Sequence, residues 1–236
     1  MIALFILPSA KPRQRDIVIS AWSKNLLAIF NIRVVVHGMP PDKDTVGAMF
    51  VSNHISWVDI HAINSIRATR FIAKAEVRNW PIFGWLAVKA NTLFINRDKK
   101  QDVARVIENS TVSLLHGECI CYFPEGTTTD GTELKVFKGS LIQAAINSEG
   151  YIWPVAVHYP NPDGSVNTEM AFAGETTLVE SIWKIVSIKN PVVHLHFAPH
   201  ISSKGHDRRG LTIMTRKSIE SMLHHIETSP ESPIDS

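Results

Sequence analysis

The stretch VSNHISWVDI, residues 51–60, directly follows the apolar run VGAMF at 46–50 and decides the fold. The run predicts a buried strand over 46–52, and the residues from about Trp57 to Arg67 predict a helix. On a regular helix, a five-residue offset rotates two side chains by roughly 140° relative to each other. His54 and Asp59 therefore meet only if the histidine lies in the turn and the aspartate in the first helical turn.

This pair has the chemistry of a general base. A carboxylate that holds one imidazole nitrogen fixes the tautomer, so that the other nitrogen faces a substrate hydroxyl. The alternative interpretation is a buried, hydrogen-bonded His54 and an Asp59 that is favoured by the helix dipole.

Two further stretches of sequence carry candidate site residues besides His54 and Asp59. In CYFPEGTTTDG, residues 121–131, Pro124 and Gly126 flank Glu125 and predict a sharp turn after a buried strand. Such a turn lies at the carboxyl edge of a sheet, where α/β folds bind ligands. Arg97 ends a strand predicted over 92–96, and its planar guanidinium suits bidentate phosphate binding. The alternative is a surface arginine paired with Asp98 or Glu108.

Together these blocks resemble the glycerolipid acyltransferases, specifically the 1-acyl-glycerol-3-phosphate (lysophosphatidic acid) acyltransferase family. The resemblance includes NH-x-x-x-x-D itself, which implies His54 as the catalytic base and Asp59 as its orienting carboxylate. It implies that Arg97 binds the phosphate of the acceptor, that the FPEG residues bind the rest of it, and that the Pro154 strand shapes the acyl-donor site. The expected substrate-binding set is Asn53, Arg97, Phe123, Pro124, Glu125, Gly126, Thr127, Lys138 and Pro154.

The resemblance also implies the reaction partners. The donor is acyl-carrier protein or acyl-CoA carrying a thioester, the acceptor is a lysolipid, and no metal or redox cofactor is implied. Thr128 stands where many family members have an arginine, which weakens the case for a phosphomonoester; Lys135 and Lys138 compensate, or the acceptor is a lyso-ornithine lipid. A non-catalytic lipid-binding membrane protein is a further alternative, against which the intact His54 and Asp59 argue.

Strands alternating with helices predict an α/β fold with a mixed, mostly parallel sheet flanked by helices, as in glycerol-3-phosphate acyltransferases. We expect a membrane-interface segment over 1–36, an acyltransferase domain over 37–226 and a disordered tail over 227–236. The other predicted strands cover 32–37, 70–76, 119–123, 151–158 and 192–198, and the other helices 102–116, 139–147 and 211–226.

The amino-terminal region predicts contact with a membrane. Residues 16–32 form a predicted amphipathic helix with Val18, Trp22, Leu26 and Ile29 on one stripe, unless the helix simply packs on the domain. Its basic neighbours would attract anionic lipid headgroups at roughly 1 kcal/mol each. The net charge of +2 is too small to predict nucleic-acid binding. The basic residues are Lys11, Arg13, Arg15, Lys24 and Arg33.

We expect a peripheral or monotopic protein on the cytoplasmic face of the inner membrane, since only two cysteines, Cys119 and Cys121, occur and no disulfide is expected. The tryptophan-rich segment 80–86 lines an acyl channel, dips into the bilayer interface or packs in the core. His194 and His196 share one face of a predicted strand but have no further ligand nearby in sequence, so no metal site is expected.

Overall fold

The computed structural model describes residues 12–42, 44–81 and 83–228. Its strands form one sheet in the order β1-β7-β6-β2-β5-β3-β4, and β8 also pairs with β6. All neighbouring strands are parallel except β6 with β7 and β6 with β8, which confirms the predicted mixed, mostly parallel sheet. The strands are β1 (Arg33–Gly38), β2 (Ala48–Ser52), β3 (Arg70–Lys74), β4 (Leu93–Ile95), β5 (Ile120–Tyr122), β6 (Tyr151–His158), β7 (Val192–Phe197) and β8 (Ile201–Ser202).

Helices cover both faces of the sheet, and the sheet separates two apolar clusters, to which alternate residues of β2 belong. The predicted helices over 57–67, 102–116 and 211–226 are confirmed, and Gly117 has the left-handed φ expected of a helix cap. The segment 139–147 is a 3₁₀ turn followed by one short helix. The helices are α1 (Pro12–Ile29), α2 (Val58–Ile66), α3 (Phe83–Lys89), α4 (Lys100–Leu115), α5 (Gln143–Asn147), α6 (Leu178–Ser187) and α7 (Arg208–Thr228).

Strand β2 occupies the centre of the sheet, and all five of its residues are buried. It is parallel to both of its neighbours, β5 and β6. The carboxyl ends of these three strands therefore lie side by side at one edge, and the chain leaves β2 there into Asn53 and His54. This is the edge at which α/β folds place their ligand sites.

Helix α1 packs on α2 through a line of residues next to the predicted apolar stripe. The buried line is Ile19, Ser23 and Leu27, whereas Ile29 of the predicted stripe is 78% exposed. The reason is a polar contact: Ser23 Oγ lies 3.4 Å from His61 Nδ1 of α2, which allows a serine to occupy the centre of the interface. Counting apolar residues alone places the stripe one position away.

Membrane-spanning geometry is not found among the described residues, since none of their helices combines the length and hydropathy needed to cross a bilayer. Residues 1–11, which begin the expected membrane-interface segment, lie outside the described residues, as do residues 229–236 of the expected disordered tail.

Truncation of Leu27 tests whether α1 belongs to the folded core. Leu27 is 4% exposed and lies in the same apolar cluster as β2, so Leu27→Ala should lower the free energy of unfolding by about 2–5 kcal/mol. The matched control Ile29→Ala removes an exposed side chain of the same helix and should cost less than about 0.5 kcal/mol. Urea unfolding followed by circular dichroism measures both; equal midpoints for the two variants would contradict this packing.

Candidate active site

His54 and Asp59 form the predicted hydrogen bond at the carboxyl end of β2. His54 Nδ1 lies 2.8 Å from Asp59 Oδ2, and Asp59 stands in the first turn of α2, as the sequence predicts. The carboxylate is completely buried, whereas the imidazole is partly open to solvent. The bond fixes Nδ1 as the nitrogen that faces the carboxylate, and it leaves Nε2 available to a substrate.

Asp59 is held by three more donors. Oδ2 also accepts hydrogen bonds from the backbone N–H groups of Ile55 (2.8 Å) and Ser56 (3.0 Å). Oδ1 accepts one from the hydroxyl of Tyr159 at 2.5 Å. A buried carboxylate is stable only when its oxygens are hydrogen-bonded in this way, so these donors fix both its position and that of His54.

The imidazole of His54 stacks on Phe123, the last residue before the PEG turn. The ring centroids are 3.7 Å apart and the planes are inclined by 6°. Phe123 in turn lies against Phe71 of β3, with centroids 5.9 Å apart. The histidine is therefore fixed by a hydrogen bond at one edge and by an aromatic surface across its face.

His54 opens into a cavity of about 460 Å³ whose walls are mainly apolar. Trp80 contributes to the wall and meets Phe172 edge to face, with centroids 6.0 Å apart. The first residue of the tryptophan-rich segment thus lines the cavity. A volume of this size with apolar walls suits a lipid chain beside a polar reacting group. The expected site residues that line it are His54, Arg97, Phe123, Gly126 and Thr127.

Arg97 lies on the same cavity with unmet hydrogen-bonding capacity. Its Nη2 donates a long bond of 3.4 Å to the carbonyl of Phe123, and its buried Nε has no partner among the described residues. No carboxylate of the described residues forms an ion pair with Arg97, which excludes the alternative that this arginine pairs with Asp98 or Glu108. Burial lowers the pKa of the guanidinium, as expected for a charge held away from water.

Gly126 is required by this arrangement. Its φ is +75°, and a Cβ atom added there would lie 2.3 Å from Nη1 of Arg97 and 3.6 Å from Nζ of Lys138. Only glycine leaves room for the guanidinium beside the turn and adopts this conformation without strain. Lys138 does not line the cavity itself but brings a second cation close to the turn.

Glu125 differs from its expected role. Its side chain is 4% exposed, Oε1 accepts the backbone N–H of His54 at 2.9 Å, and Oε2 accepts that of Lys135 at 2.9 Å. Burial raises the pKa of this carboxyl group, against the lowering effect of the two backbone bonds. Because both oxygens bind backbone groups, Glu125 joins the two loops and does not face the cavity.

Three other expected substrate-binding residues also have structural contacts. The Asn53 amide accepts from Val157 N at 2.7 Å and donates to Val157 O at 2.9 Å, which ties the end of β2 to β6. Pro124 is buried and its carbonyl accepts from Lys138 N. Pro154 is buried within β6, in register with Val51. None of these side chains lines the cavity.

The comparisons with known proteins agree with this geometry. The family model described as Acyltransferase matches residues 33–158, more than half of the chain. The chain belongs to the acyltransferase family.

Individual relatives carry two activities in their names. A lyso-ornithine lipid O-acyltransferase of Pseudomonas aeruginosa is 34% identical over 86% of this chain and 76% of its own. A 1-acyl-sn-glycerol-3-phosphate acyltransferase of Neisseria gonorrhoeae is 30% identical over 90% of this chain and 83% of its own. The crystal structure of PlsC, the lysophosphatidic acid acyltransferase of Thermotoga maritima, superimposes with a TM-score of 0.67 at 21% identity over 96% of this chain and 87% of its own, a match of fold.

The structure of this acyltransferase adds residues that the sequence motifs did not identify. Tyr159 reaches Asp59 from the end of β6, and Lys74 lines the cavity from the end of β3. Thr176 and Thr177 close the opposite wall, just before α6. Lys74 and Tyr159 lie at the carboxyl ends of β3 and β6, so position at this edge of the sheet was the available signal for them. Thr176 and Thr177 precede a helix that the sequence analysis did not predict.

Removal of the Tyr159 hydroxyl tests whether it positions the catalytic pair. Tyr159→Phe keeps the buried ring but deletes a hydrogen bond to a charged acceptor, which is worth about 1.5–3 kcal/mol. We expect kcat to fall roughly 10- to 100-fold. The KM for the acyl thioester and the KM for the lysolipid should change little, because Asp59 touches no substrate.

The matched control is Tyr151→Phe on the same strand, whose side chain is exposed and meets Trp153 and His200 edge to face. Steady-state kinetics on both variants, with unfolding curves to confirm the fold, make the comparison. A wild-type kcat for Tyr159→Phe would show that this hydroxyl has no positioning role.

Proposed function

We propose that the chain is a lysolipid acyltransferase that moves a fatty acyl group from a thioester to the free hydroxyl of 1-acyl-glycerol-3-phosphate, forming phosphatidic acid. The observation that carries this proposal is the His54–Asp59 pair at 2.8 Å, open to an apolar cavity that also holds Arg97, which makes no ion pair within the described residues. Family membership supports the acyl transfer, and the cavity supports a lipid substrate.

In the proposed reaction Nε2 of His54 removes the proton from the acceptor hydroxyl as its oxygen attacks the thioester carbonyl carbon. Asp59 stabilises the imidazolium that forms and does not itself become protonated. The tetrahedral intermediate collapses with cleavage of the carbon–sulfur bond, and the imidazolium returns the proton to the departing thiolate. The acyl group passes directly to the acceptor, and no covalent acyl-enzyme forms.

The polar end of the acceptor is the part that Arg97 is proposed to bind. A guanidinium that is half-buried, unpaired and short of hydrogen-bond acceptors is stabilised by an anionic oxygen group. Lys74 on the cavity wall and Lys138 beside Gly126 add positive charge to the same region. This charge distribution favours a phosphomonoester.

A second acceptor, lyso-ornithine lipid, is favoured by different observations. Thr128 has no charge to offer, and its hydroxyl donates to the carbonyl of Phe172. The Pseudomonas aeruginosa relative is named for lyso-ornithine lipid. In that case Arg97 would bind the ornithine carboxylate, and the roles of His54 and Asp59 would be unchanged. Acyl-carrier protein and acyl-CoA both remain proposed donors.

The proposed place of work is the cytoplasmic face of the inner membrane, and α6 offers the contact surface. Its outer face carries Val179, Trp183 and Val186, which are 65%, 69% and 57% exposed. Spaced at i, i+4 and i+7, they form one apolar stripe on a helix whose N-cap, Thr177, lines the cavity. A lysolipid would then enter from the bilayer interface, where tryptophan is favoured.

Basic residues accompany this stripe. Lys184 and Lys189 are both exposed near its end. The loop after α6 contacts the end of α1 through a 2.8 Å bond between Asn31 and Asn190, next to the exposed Ile29. We propose that α6 and this end of α1 together dock on anionic lipid.

Replacement of His54 tests the catalytic proposal. His54→Ala should lower the rate of acyl transfer by about 10²- to 10⁴-fold, the usual value of general-base assistance. The control His206→Ala removes an exposed histidine in the loop before α7 and should retain the wild-type rate. Release of thiol from acyl-CoA and acyl-carrier protein, with thin-layer chromatography of the lipid product, measures the rate.

The same assay run with lysophosphatidic acid and lyso-ornithine lipid identifies the acceptor. We expect the higher kcat/KM with lysophosphatidic acid, and a larger KM for it in Arg97→Met. Near wild-type turnover in a folded His54→Ala protein would disprove the base mechanism. Lysolipid binding without thiol release in the wild type would favour the non-catalytic alternative.

Substitution of Trp183 tests the docking surface. Trp183→Ser should weaken sedimentation with vesicles of phosphatidylglycerol and phosphatidylethanolamine by about 10-fold, since burying this side chain is worth about 1.5–3 kcal/mol. The control Leu115→Ser alters a residue that is 64% exposed at the end of α4, away from the carboxyl edge of the sheet. Equal vesicle binding by both variants would contradict the role of α6.

A further inference from the structure

Four histidines share one face of the sheet on three adjacent strands. His37 of β1 stands opposite His196 of β7, and His158 of β6 stands opposite His194 of β7. Residues 194 and 196 are two apart on a strand and therefore face the same side. The sequence motifs could not indicate this cluster, because β1 is far from β7 in the chain and adjacent to it in the sheet.

Three of these imidazoles bring their nitrogens together. His37 Nε2 lies 3.0 Å from His194 Nδ1, and the rings of His37 and His196 stack with centroids 4.2 Å apart. One ring nitrogen from each of the three lies within 4.8 Å of the others. Nitrogens bound to a tetrahedral Zn²⁺ at about 2.0–2.1 Å are roughly 3.3 Å apart. The three rings are nearly parallel, with interplanar angles of 9° to 24°, so binding one ion in the plane of each imidazole requires the rings to turn about their side-chain torsions as well as to approach.

Two nitrogens of the cluster are buried without a partner. Among the described residues, neither His158 Nε2 nor His196 Nε2 makes a hydrogen bond. Buried polar atoms in native proteins are nearly always satisfied by protein, water or an ion, so such a pair on one sheet face indicates a missing ligand.

We propose that His37, His194 and His196 form a binding site for one divalent transition-metal ion of the zinc class. The ligand chemistry selects this class, because imidazole suits Zn²⁺, Co²⁺, Ni²⁺ and Cu²⁺, whereas Mg²⁺ and Ca²⁺ require oxygen ligands. Within residues 12–42, 44–81 and 83–228, no thiolate or carboxylate belongs to the cluster.

The fourth coordination position lies toward α7. His196 and His225 of α7 line a common cavity of about 550 Å³, so water or His225 completes a tetrahedral site. Lys217 lines this cavity as well, but its side chain is exposed and its flexible stem keeps the ammonium group in solvent.

The bound ion would serve structure. Among the strands that the structure describes, β1 lies at the edge of the sheet and pairs with β7 only, and its chain leads back to α1. A metal shared by β1 and β7 would link this edge to the body of the sheet. It would stabilise the folded state because the unfolded chain does not hold the three ligands together.

The test uses the full chain without a histidine tag, stripped with EDTA and dialysed. Calorimetric titration with ZnCl₂ should give one equivalent, and Co²⁺ should give the visible absorption of a tetrahedral site. His37→Gln and His196→Gln should each weaken Zn²⁺ binding at least about 10- to 100-fold. Zn²⁺ should raise the Tm of the wild type and not that of the two variants.

The matched control is His206→Gln, which alters an exposed histidine outside the cluster and should bind Zn²⁺ like the wild type. Circular dichroism confirms that each variant is folded, and X-ray absorption of the Zn²⁺ complex counts the imidazole ligands. Unchanged Zn²⁺ affinity in folded His37→Gln and His196→Gln, an equal loss in His206→Gln, or fewer than three imidazoles on the ion would each overturn the proposal.

Discussion

The buried carboxylate of Asp59 is the constraint on which the site depends. A charge removed from water at the start of α2 is tolerated only because its two oxygens accept four hydrogen bonds, from His54, Ile55, Ser56 and Tyr159. Two of these donors are backbone groups of the turn, which thereby takes the shape that presents the imidazole to the cavity. The same interactions that satisfy the charge therefore orient the base, so folding and catalysis share one set of contacts.

A second buried carboxylate joins the elements around this centre. Glu125 binds the backbone of His54 with one oxygen and that of Lys135 with the other, which fixes the PEG turn against the histidine loop. The PEG turn also places Gly126 against Arg97. Polar residues of the motif thus divide into those that face the cavity and those that hold the loops in place. The residues that hold the loops therefore position the base, His54, and the cation, Arg97, relative to each other although the two lie on separate loops.

Local parts of the site were predictable from the sequence, and long-range contacts were not. His54 and Asp59 are five residues apart, so helix geometry alone restricts how they meet. Tyr159 lies a hundred residues from Asp59, and no local pattern links them. Asn53 and Glu125 were assigned to the substrate from the family resemblance, and a motif does not reveal that their polar atoms bind backbone groups. The buried face of α1 could not be predicted from its apolar residues alone, because Ser23, a polar residue, occupies the centre of its contact with α2.

The fold followed from the alternation of strands and helices, since that periodicity depends on burial within each element. Helix α6 has a local signal that the sequence analysis did not use, the capping box of Thr177 and Glu180 before an amphipathic run, whereas the proximity of His37 to β7 required the assembled sheet. Both features lie outside the motif blocks: α6 carries an exposed apolar stripe, and the histidines share one face of the sheet.

The most direct test of the central claim is a crystal structure with a bound acceptor and a non-hydrolysable thioester analogue. We predict the acceptor hydroxyl within about 2.6–3.2 Å of His54 Nε2, with its anionic group on Arg97 and the His54–Asp59 bond intact. A hydroxyl held elsewhere, with Nε2 directed at protein atoms, would contradict the account.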